Sequence, residues 1–279
     1  MDLTDILRAV KEGKMDIKTA EQQTRGLGFV SYADIAKLDS HRKSRTGIVE
    51  AILADCKEPE DLVEITRVMV LESKRALITR VSAKHLEALR AAFNHDNIEW
   101  NSRARTVVIH DGTPTSKTGG VVGIISAGTA DIPVAEEARI VASEMGCETI
   151  TVYDVGIAGI HRLIPEIQKL KAMMLGAIVV AAGREGTLPT IISGLIDVPV
   201  IGLPVSIGYG AGGEGKAALL AMLQSCSTIA VVNIDAGFVA GAYAARIANM
   251  VAAAGKREKR KGRKKRQLMA NKLKPKFRK

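Results

Sequence analysis

The sequence predicts an α/β protein whose larger part is a three-layer, doubly wound sheet of five parallel strands, preceded by a smaller N-terminal α/β domain. Three observations carry this. From Gly120 onward, short apolar runs recur about every 25 residues, each followed by a glycine-bearing loop and a helical stretch, the rhythm of strand–loop–helix units. The run Ala177–Ala182 is apolar at every position, as expected of a parallel strand covered on both faces. Aromatic residues make up 3% of the chain against 47% hydrophobic residues in all. Ala, Val, Ile and Gly must therefore fill the core, which suits a tightly packed parallel sheet.

Residues 2–26 read as two short helices. Leu3, Ile6, Leu7 and Val10 share one face of the first, which Gly13 stops; Asp16 is a candidate cap for the second, which ends at Gly26. Short strands are expected at 34–38 and 47–53, with a loop between them carrying His41, Arg42, Lys43 and Arg45. Pro59 opens a helix, 75–81 is a strand, Ser82 caps a second helix, and 105–111 is a further strand. The turn-forming segment DGTPTSKTGG (111–120) is the best linker, so domains are expected over 1–118 and 119–255. Beyond it, strands are expected at 121–126, 148–154, 177–182, 198–203 and 228–234. Helices lie between them, and a final helix runs over 238–253.

The formal net charge of +10 is not spread over the chain. Residues 256–279 hold 14 Lys and Arg against one acid, which leaves 26 basic and 29 acidic residues in 1–255. The body is mildly acidic, and the tail is expected to be disordered when unbound, as either a solubilising or helix-extending appendage or an arm that contacts nucleic acid non-specifically through charge. Cys56, Cys147 and Cys226 are odd in number and far apart, which argues against a disulfide framework and for a reducing cytoplasm. No secretory signal and no membrane span are expected, since the most apolar region, 187–207, carries Asp197 and three prolines.

Ligands of open α/β sheets bind at the carboxyl ends of strands. The first such loop, SAGTAD (126–131), offers hydroxyls, flexible backbone N–H groups and one carboxylate before a helix. It suits a phosphate, with Asp131 on a ribose hydroxyl or a metal, and equally a plain N-cap by Asp131. The second, VGIAGIHRL, carries His161 and Arg162, an acid/base candidate or a surface pair. The third begins GREG, with Glu185 just past a strand end in a stretch, 183–215, that holds nine glycines. The fourth contains GAGGEG (210–215), but PVSIGY separates it from its strand, so it is no dinucleotide fingerprint and a nicotinamide dehydrogenase is disfavoured.

The loops AGTAD, AGIHR and GREGTLP resemble those of the aminoimidazole ribonucleotide (AIR) carboxylase/mutase enzymes, with their flavodoxin-like sheet. A longer set of stretches resembles the nickel-pincer cofactor biosynthesis carboxylase/hydrolase family, the pyridinium-3,5-biscarboxylic acid mononucleotide synthases. These are DIAKLDSHRKSRTG, LITRVS, SAGTADIPVAEEA, YDVGIAGIHRL, VPVIGLPVSIGYGAGGEG and LQSCSTIAVVNIDAGFVAGAYA. They span roughly 1–253 and leave the basic tail outside. The resemblance implies carboxylation at C5 of the pyridinium of nicotinic acid adenine dinucleotide by CO₂, with hydrolysis of the phosphoanhydride to release AMP. It assigns Cys226 as nucleophile, Glu185 as base and His161 as acid/base. Substrate contacts are expected from Ser126, Gly128, Thr129, Asp131, Arg162, Gly183, Gly186, Ser206, Tyr209 and Gly210. Mg²⁺ is expected on Asp131 and Asp154, with no organic cofactor. A homo-oligomer is implied, the purine relatives being octamers.

Overall fold

A computed structural model describes residues 3–24, 30–32, 36–39 and 42–272. Gly26, His41 and the start of the strand expected at 34–38 lie outside the described residues.

The N-terminal part opens with α1 (Leu3–Lys11) and α2 (Ile17–Thr24). Asp16 accepts the Thr19 N–H at 2.9 Å, as its candidate cap role requires. Two short strands, β1 (Val30–Tyr32) and β2 (Ala36–Leu38), pair antiparallel, where only one strand was expected. The basic loop contains a short helix, α3 (Arg42–Thr46). A four-stranded sheet follows, built from β3 (Ala51–Leu53), β4 (Arg75–Thr79), β5 (Ile98–Asn101) and β6 (Thr106–His110). Its order is β3-β4-β6-β5, with β3 parallel to β4 and the other pairs antiparallel. Helices α4 (Pro59–Ser73) and α5 (Ala83–Ala92) carry Leu62, Ile65, Met69 and Leu89 into its core. Ser82 caps α5 by accepting the His85 N–H. The sequence reading missed β5 because four residues carry no measurable period.

The larger part is a five-stranded, wholly parallel sheet of β7 (Val121–Ser126), β8 (Glu148–Val152), β9 (Ala177–Ala182), β10 (Val200–Pro204) and β11 (Ile229–Val231), in the order β11-β10-β9-β7-β8. Numbered within the sheet this is the doubly wound 2-1-3-4-5 order. Helices α6 (Ile132–Glu144) and α10 (Gly237–Lys272) cover one face with alanines, among them Ala135, Ala138, Ala142, Ala240, Ala244 and Ala248. Helices α7 (Leu163–Lys171), α8 (Leu188–Ser193) and α9 (Lys216–Leu223) belong to the other face, through Leu163, Ile167, Leu188, Ile192 and Met222. Small side chains let α6 and α10 approach closely: a Cβ at Gly241 would sit 2.3 Å from the Ala138 carbonyl oxygen.

The final helix does not stop near Ala253. It continues to Lys272, so residues 256–272 are helical where disorder was expected. Lys, Arg, Gln, Leu, Met and Ala are all good helix formers, and cations suit a helix C-terminus. The stretch Gly237–Glu258 is long and apolar enough to cross a bilayer, by length and composition alone. In this fold Ala240, Ala244, Ala245 and Ala248 of that stretch are core residues.

Helix α6 is shared by the two parts. Leu77 of β4 and Val108 of β6 join its core cluster. At its last residue, Glu144 is 8% exposed. Arg75 of β4 reaches it as a fork, Nε and Nη2 each 2.8 Å from a carboxylate oxygen.

Glu137, also on α6, is half-buried beside the start of α10. Burial pushes its carboxyl up to about 7, and Asp235 adds to this, while Arg80 and the Phe238 N–H oppose it. The folded chain then keeps a proton that the unfolded chain has lost, so this group's contribution to stability declines as pH rises from 4.5 to about 7 and is level above that. Glu137→Gln should therefore be more stable than the parent at pH 8, by up to about 3 kcal/mol, and equal to it at pH 4. Thermal unfolding of both proteins at the two pH values measures this; an advantage that persists undiminished at pH 4 would show the cause to be something other than the proton.

Candidate active site

The strand order puts a switch point between the neighbours β7 and β9: the chain leaves β7 outward for β8 on one side and leaves β9 for β10 on the other. The loops after these strands cannot cover one another there, and a cleft of ≈ 620 Å³ opens between them. That size is ordinary for a small-molecule site. Gly128 and Asp131 contribute from the β7 loop, Ile157 and Arg162 from the β8 loop, Arg184, Glu185 and Gly186 from the β9 loop, and Ile207 and Tyr209 from the β10 loop.

Asp131 is the buried charge of the cleft, 6% exposed. It ends a single 3-10 turn, Thr129–Asp131, that leads directly into α6. Its side chain makes no cap bond to α6; it turns back to accept N–H bonds from Gly128, at 2.8 Å, and from Gly183. Burial raises its pKa against the pull of those two bonds. The side chain does not cap α6; it closes the β7 loop on itself and ties it to the β9 loop.

The rim carries the other charges. Arg162 lines the wall and is paired with Asp154, Nη1 to Oδ2 at 2.7 Å. Arg184 lies over the Tyr209 ring, 4.6 Å from its centroid, and holds the exposed Tyr209 hydroxyl below its usual pKa by hydrogen bonding. Glu185 is exposed at the same rim.

Of the residues expected from the sequence, the cleft wall brings together Gly128, Asp131, Arg162, Glu185, Gly186 and Tyr209. Others support it from outside. Ser126 is buried at the end of β7, its Oγ accepting the Asp154 N–H at 3.2 Å. Gly183 lies behind Asp131, and the Ser206 N–H is held by Asp235 at 2.8 Å. Thr129, His161 and Gly210 are exposed and stand outside the wall. Cys226 is exposed in the turn before β11, at the amino edge of the sheet, whereas every loop of the cleft follows a carboxyl end. Within one chain it is not part of this site. Arg184 and the apolar Ile157 and Ile207 were not singled out as site residues, although Arg184 stands beside the expected base and both isoleucines lie in glycine-rich loops.

The two residues expected to hold magnesium already have partners within the chain. Asp131 is engaged by two backbone N–H groups and Asp154 by a guanidinium. Among the described residues no three His, Cys, Asp or Glu side chains gather as a metal cage.

Comparison with known proteins gives two family matches. Residues 30–111 match the LarB/PurE-like N-terminal domain, and residues 121–271 match AIR carboxylase. The second match takes in most of the basic tail. An uncharacterized protein of Methanocaldococcus jannaschii is 40% identical over 257 residues, covering 90% of this chain and 98% of its own. The N5-carboxyaminoimidazole ribonucleotide mutase of Pyrococcus horikoshii is 32% identical over 119 residues, 41% of this chain and 63% of that protein. Among solved structures, Treponema denticola PurE aligns with 19% identity over 56% of this chain and 99% of its own, at a TM-score of 0.40.

Gly186 joins the cleft to the helix behind it. Its φ is +64°, and a Cβ there would lie 2.5 Å from the carbonyl oxygen of Ala218 in α9. Gly186→Ala should cost about 1–3 kcal/mol from the backbone conformation alone, and more from the clash. Gly210→Ala, at φ +82° with nothing within 4 Å of the added methyl, should show the conformational cost without the clash. Chemical denaturation of the two variants measures the difference; equal losses would remove the packing role of Gly186.

Proposed function

Because this chain belongs to the AIR carboxylase family, with the LarB/PurE-like N-terminal domain in front of the carboxylase domain, we propose that it carboxylates the pyridinium ring of nicotinic acid adenine dinucleotide at C5 and hydrolyses the phosphoanhydride. The products are pyridinium-3,5-biscarboxylic acid mononucleotide and AMP, for nickel-pincer cofactor biosynthesis. The observation that carries this reading is the cleft at the switch point between β7 and β9, where one buried carboxylate faces a rim of two guanidinium groups, a carboxylate and an aromatic ring.

Each of these groups has a use on such a substrate. Arg162 and Arg184 suit its phosphates and ring carboxylate. A pyridinium is a planar cation, so it competes for the same kind of contact with Tyr209 that Arg184 now makes. Asp131, set among backbone N–H groups, suits a ribose hydroxyl. An electron-poor pyridinium does not attack CO₂. A thiolate adding at C6 turns the ring into an enamine whose C5 is nucleophilic. C5 then takes up CO₂, Glu185 removes the C5 proton, and the C6–S bond breaks to return the thiolate and restore aromaticity. Water attacks the phosphoanhydride in a separate step, and the P–O bond to AMP breaks.

Cys226 is our nucleophile, and its position at the amino edge sets a condition. The reaction requires Cys226 of the partner subunit at the cleft, in a homo-oligomer. The exposed Leu220 and Leu223, only a few residues before Cys226, and Val239, Tyr243 and Met250 on α10 are apolar surface that such a neighbour would cover. The same condition applies to His161, which is exposed beside Arg162.

A second reading, favoured by the similarity to the Pyrococcus horikoshii mutase, is aminoimidazole ribonucleotide carboxylation in the same cleft, with no thiolate. Mass spectrometry of an incubation with nicotinic acid adenine dinucleotide and bicarbonate separates the two. We expect a carboxylated mononucleotide plus AMP, reduced on the order of 10³-fold or more in Cys226→Ala. Turnover of aminoimidazole ribonucleotide that survives Cys226→Ala, with none of the dinucleotide, would establish the second reading instead. The subunit condition has its own test. Cys226→Ala and Glu185→Gln, each inactive alone, should regain about a quarter of parental activity when co-assembled in equal amounts, because one site in four then combines an intact cleft with an intact cysteine. A mixture that stays inactive would return both residues to one chain.

A further inference from the structure

A second buried polar cluster stands where the two parts of the chain meet. Glu136, early in α6, is 8% exposed. Arg139 reaches it as a fork, Nε to Oε1 at 2.7 Å and Nη2 to Oε2 at 2.9 Å. The Tyr153 hydroxyl donates to Oε1, and the Asn101 side-chain amide donates to Oε2. Burial alone would raise the Glu136 pKa, but the bonds from Arg139, Tyr153 and Asn101 outweigh it and hold the carboxyl below its usual value.

This cluster leads directly to the cleft. Asn101 is the last residue of β5, and its amide oxygen accepts the Ala104 N–H at 3.0 Å, holding the turn into β6. Tyr153 is the first residue after β8, and next to it Asp154 adopts φ +59°. Asp154 in turn holds Arg162 of the cleft wall at 2.7 Å. The Asp154–Arg162 pair is about half exposed, with side-chain accessibilities of 47% and 43%. Such a pair adds little, because solvent screens it, and it works against the left-handed conformation at Asp154. The pair cannot hold its own turn. The Asp154 N–H bond to Ser126 fixes one side of that turn, and the part-buried Tyr153–Glu136 bond fixes the other.

We propose that Asn101 and Glu136 are positioning residues, through which the N-terminal domain fixes the Asp154–Arg162 turn and so the placement of a cleft cation. The functional half of this statement rests on the reading of Arg162 as a contact for an anionic substrate group; the structural half does not.

Hydrogen exchange by mass spectrometry on the full chain tests the structural half. In Asn101→Ala and in Tyr153→Phe, amides of residues 153–162 should exchange at least roughly fivefold faster, with the β9 and α10 core unchanged. Arg75→Lys, which loosens the other domain contact at Glu144, should leave 153–162 as in the parent. Unchanged exchange in both variants, or an increase that Arg75→Lys reproduces, would overturn the proposal. Tyr153→Phe removes one hydroxyl and leaves Glu136 held by Arg139 and Asn101, so it keeps the test open if Asn101→Ala folds poorly. With a turnover assay, Tyr153→Phe should raise KM about threefold with kcat nearly unchanged, and should raise it no further in an Arg162→Ala background. A rise that is multiplicative with Arg162→Ala overturns the functional half. A parent enzyme that ignores the dinucleotide counts against the function reading alone, and the exchange pattern still decides the positioning.

Discussion

Helix α6 carries two nearly buried carboxylates, Glu136 and Glu144, each met by a guanidinium fork. A buried ion pair of this kind adds little stability over an apolar equivalent, because desolvation offsets most of the attraction. Its effect lies in what it forbids. Any arrangement that moves Arg75 off Glu144, or Asn101 off Glu136, leaves a nearly buried carboxylate short of a partner, at a cost of about 1–3 kcal/mol. The apolar contacts of Leu77 and Val108 with α6 would tolerate sliding; the polar ones do not.

That restraint matters because the start of α6 is also the floor of the cleft. Asp131 and Ile132 are consecutive, and the 3-10 turn that delivers Asp131 runs straight into the helix. The parallel sheet supplies the other coordinate. The β7 and β9 loops diverge at the switch point, and the Gly183 N–H of one loop closes on the Asp131 carboxylate of the other. Sheet order decides where a cleft opens, and α6 decides what stands in it.

The parallel core was legible in the sequence because Val, Ile and Ala runs recur with glycine-bearing loops after them, and all five expected strands form. The candidate loops were legible for the same reason: position after a strand end already selects Gly128, Asp131, Arg162, Glu185 and Gly186. Three kinds of feature were not. Strands of three or four residues, such as β1 and β5, are too short to show alternation. A charge run reads as unstructured although its residues favour helix, which is why the extension of α10 stood as one alternative beside disorder. Tertiary pairs such as Arg75 with Glu144, 69 positions apart, leave no local trace at all. Cys226 belongs to a fourth kind: the motif around it is readable, but its place at the amino edge of the sheet, away from the cleft loops, is a matter of tertiary topology.

The extension of α10 changes how charge is distributed in space. From Ala254 to Lys272 the helix runs about 28 Å. A body with three more acids than bases therefore bears a stiff cationic rod instead of a diffuse cloud. Rigid separation of opposite charge gives the molecule a large permanent electric dipole. In dilute buffer such a particle turns in the field of its neighbours before it touches them. Beyond a Debye length of about 8 Å at physiological salt that orientation fades, which makes encounter with charged surfaces steeply dependent on ionic strength while the cleft, on the body, is left out of it.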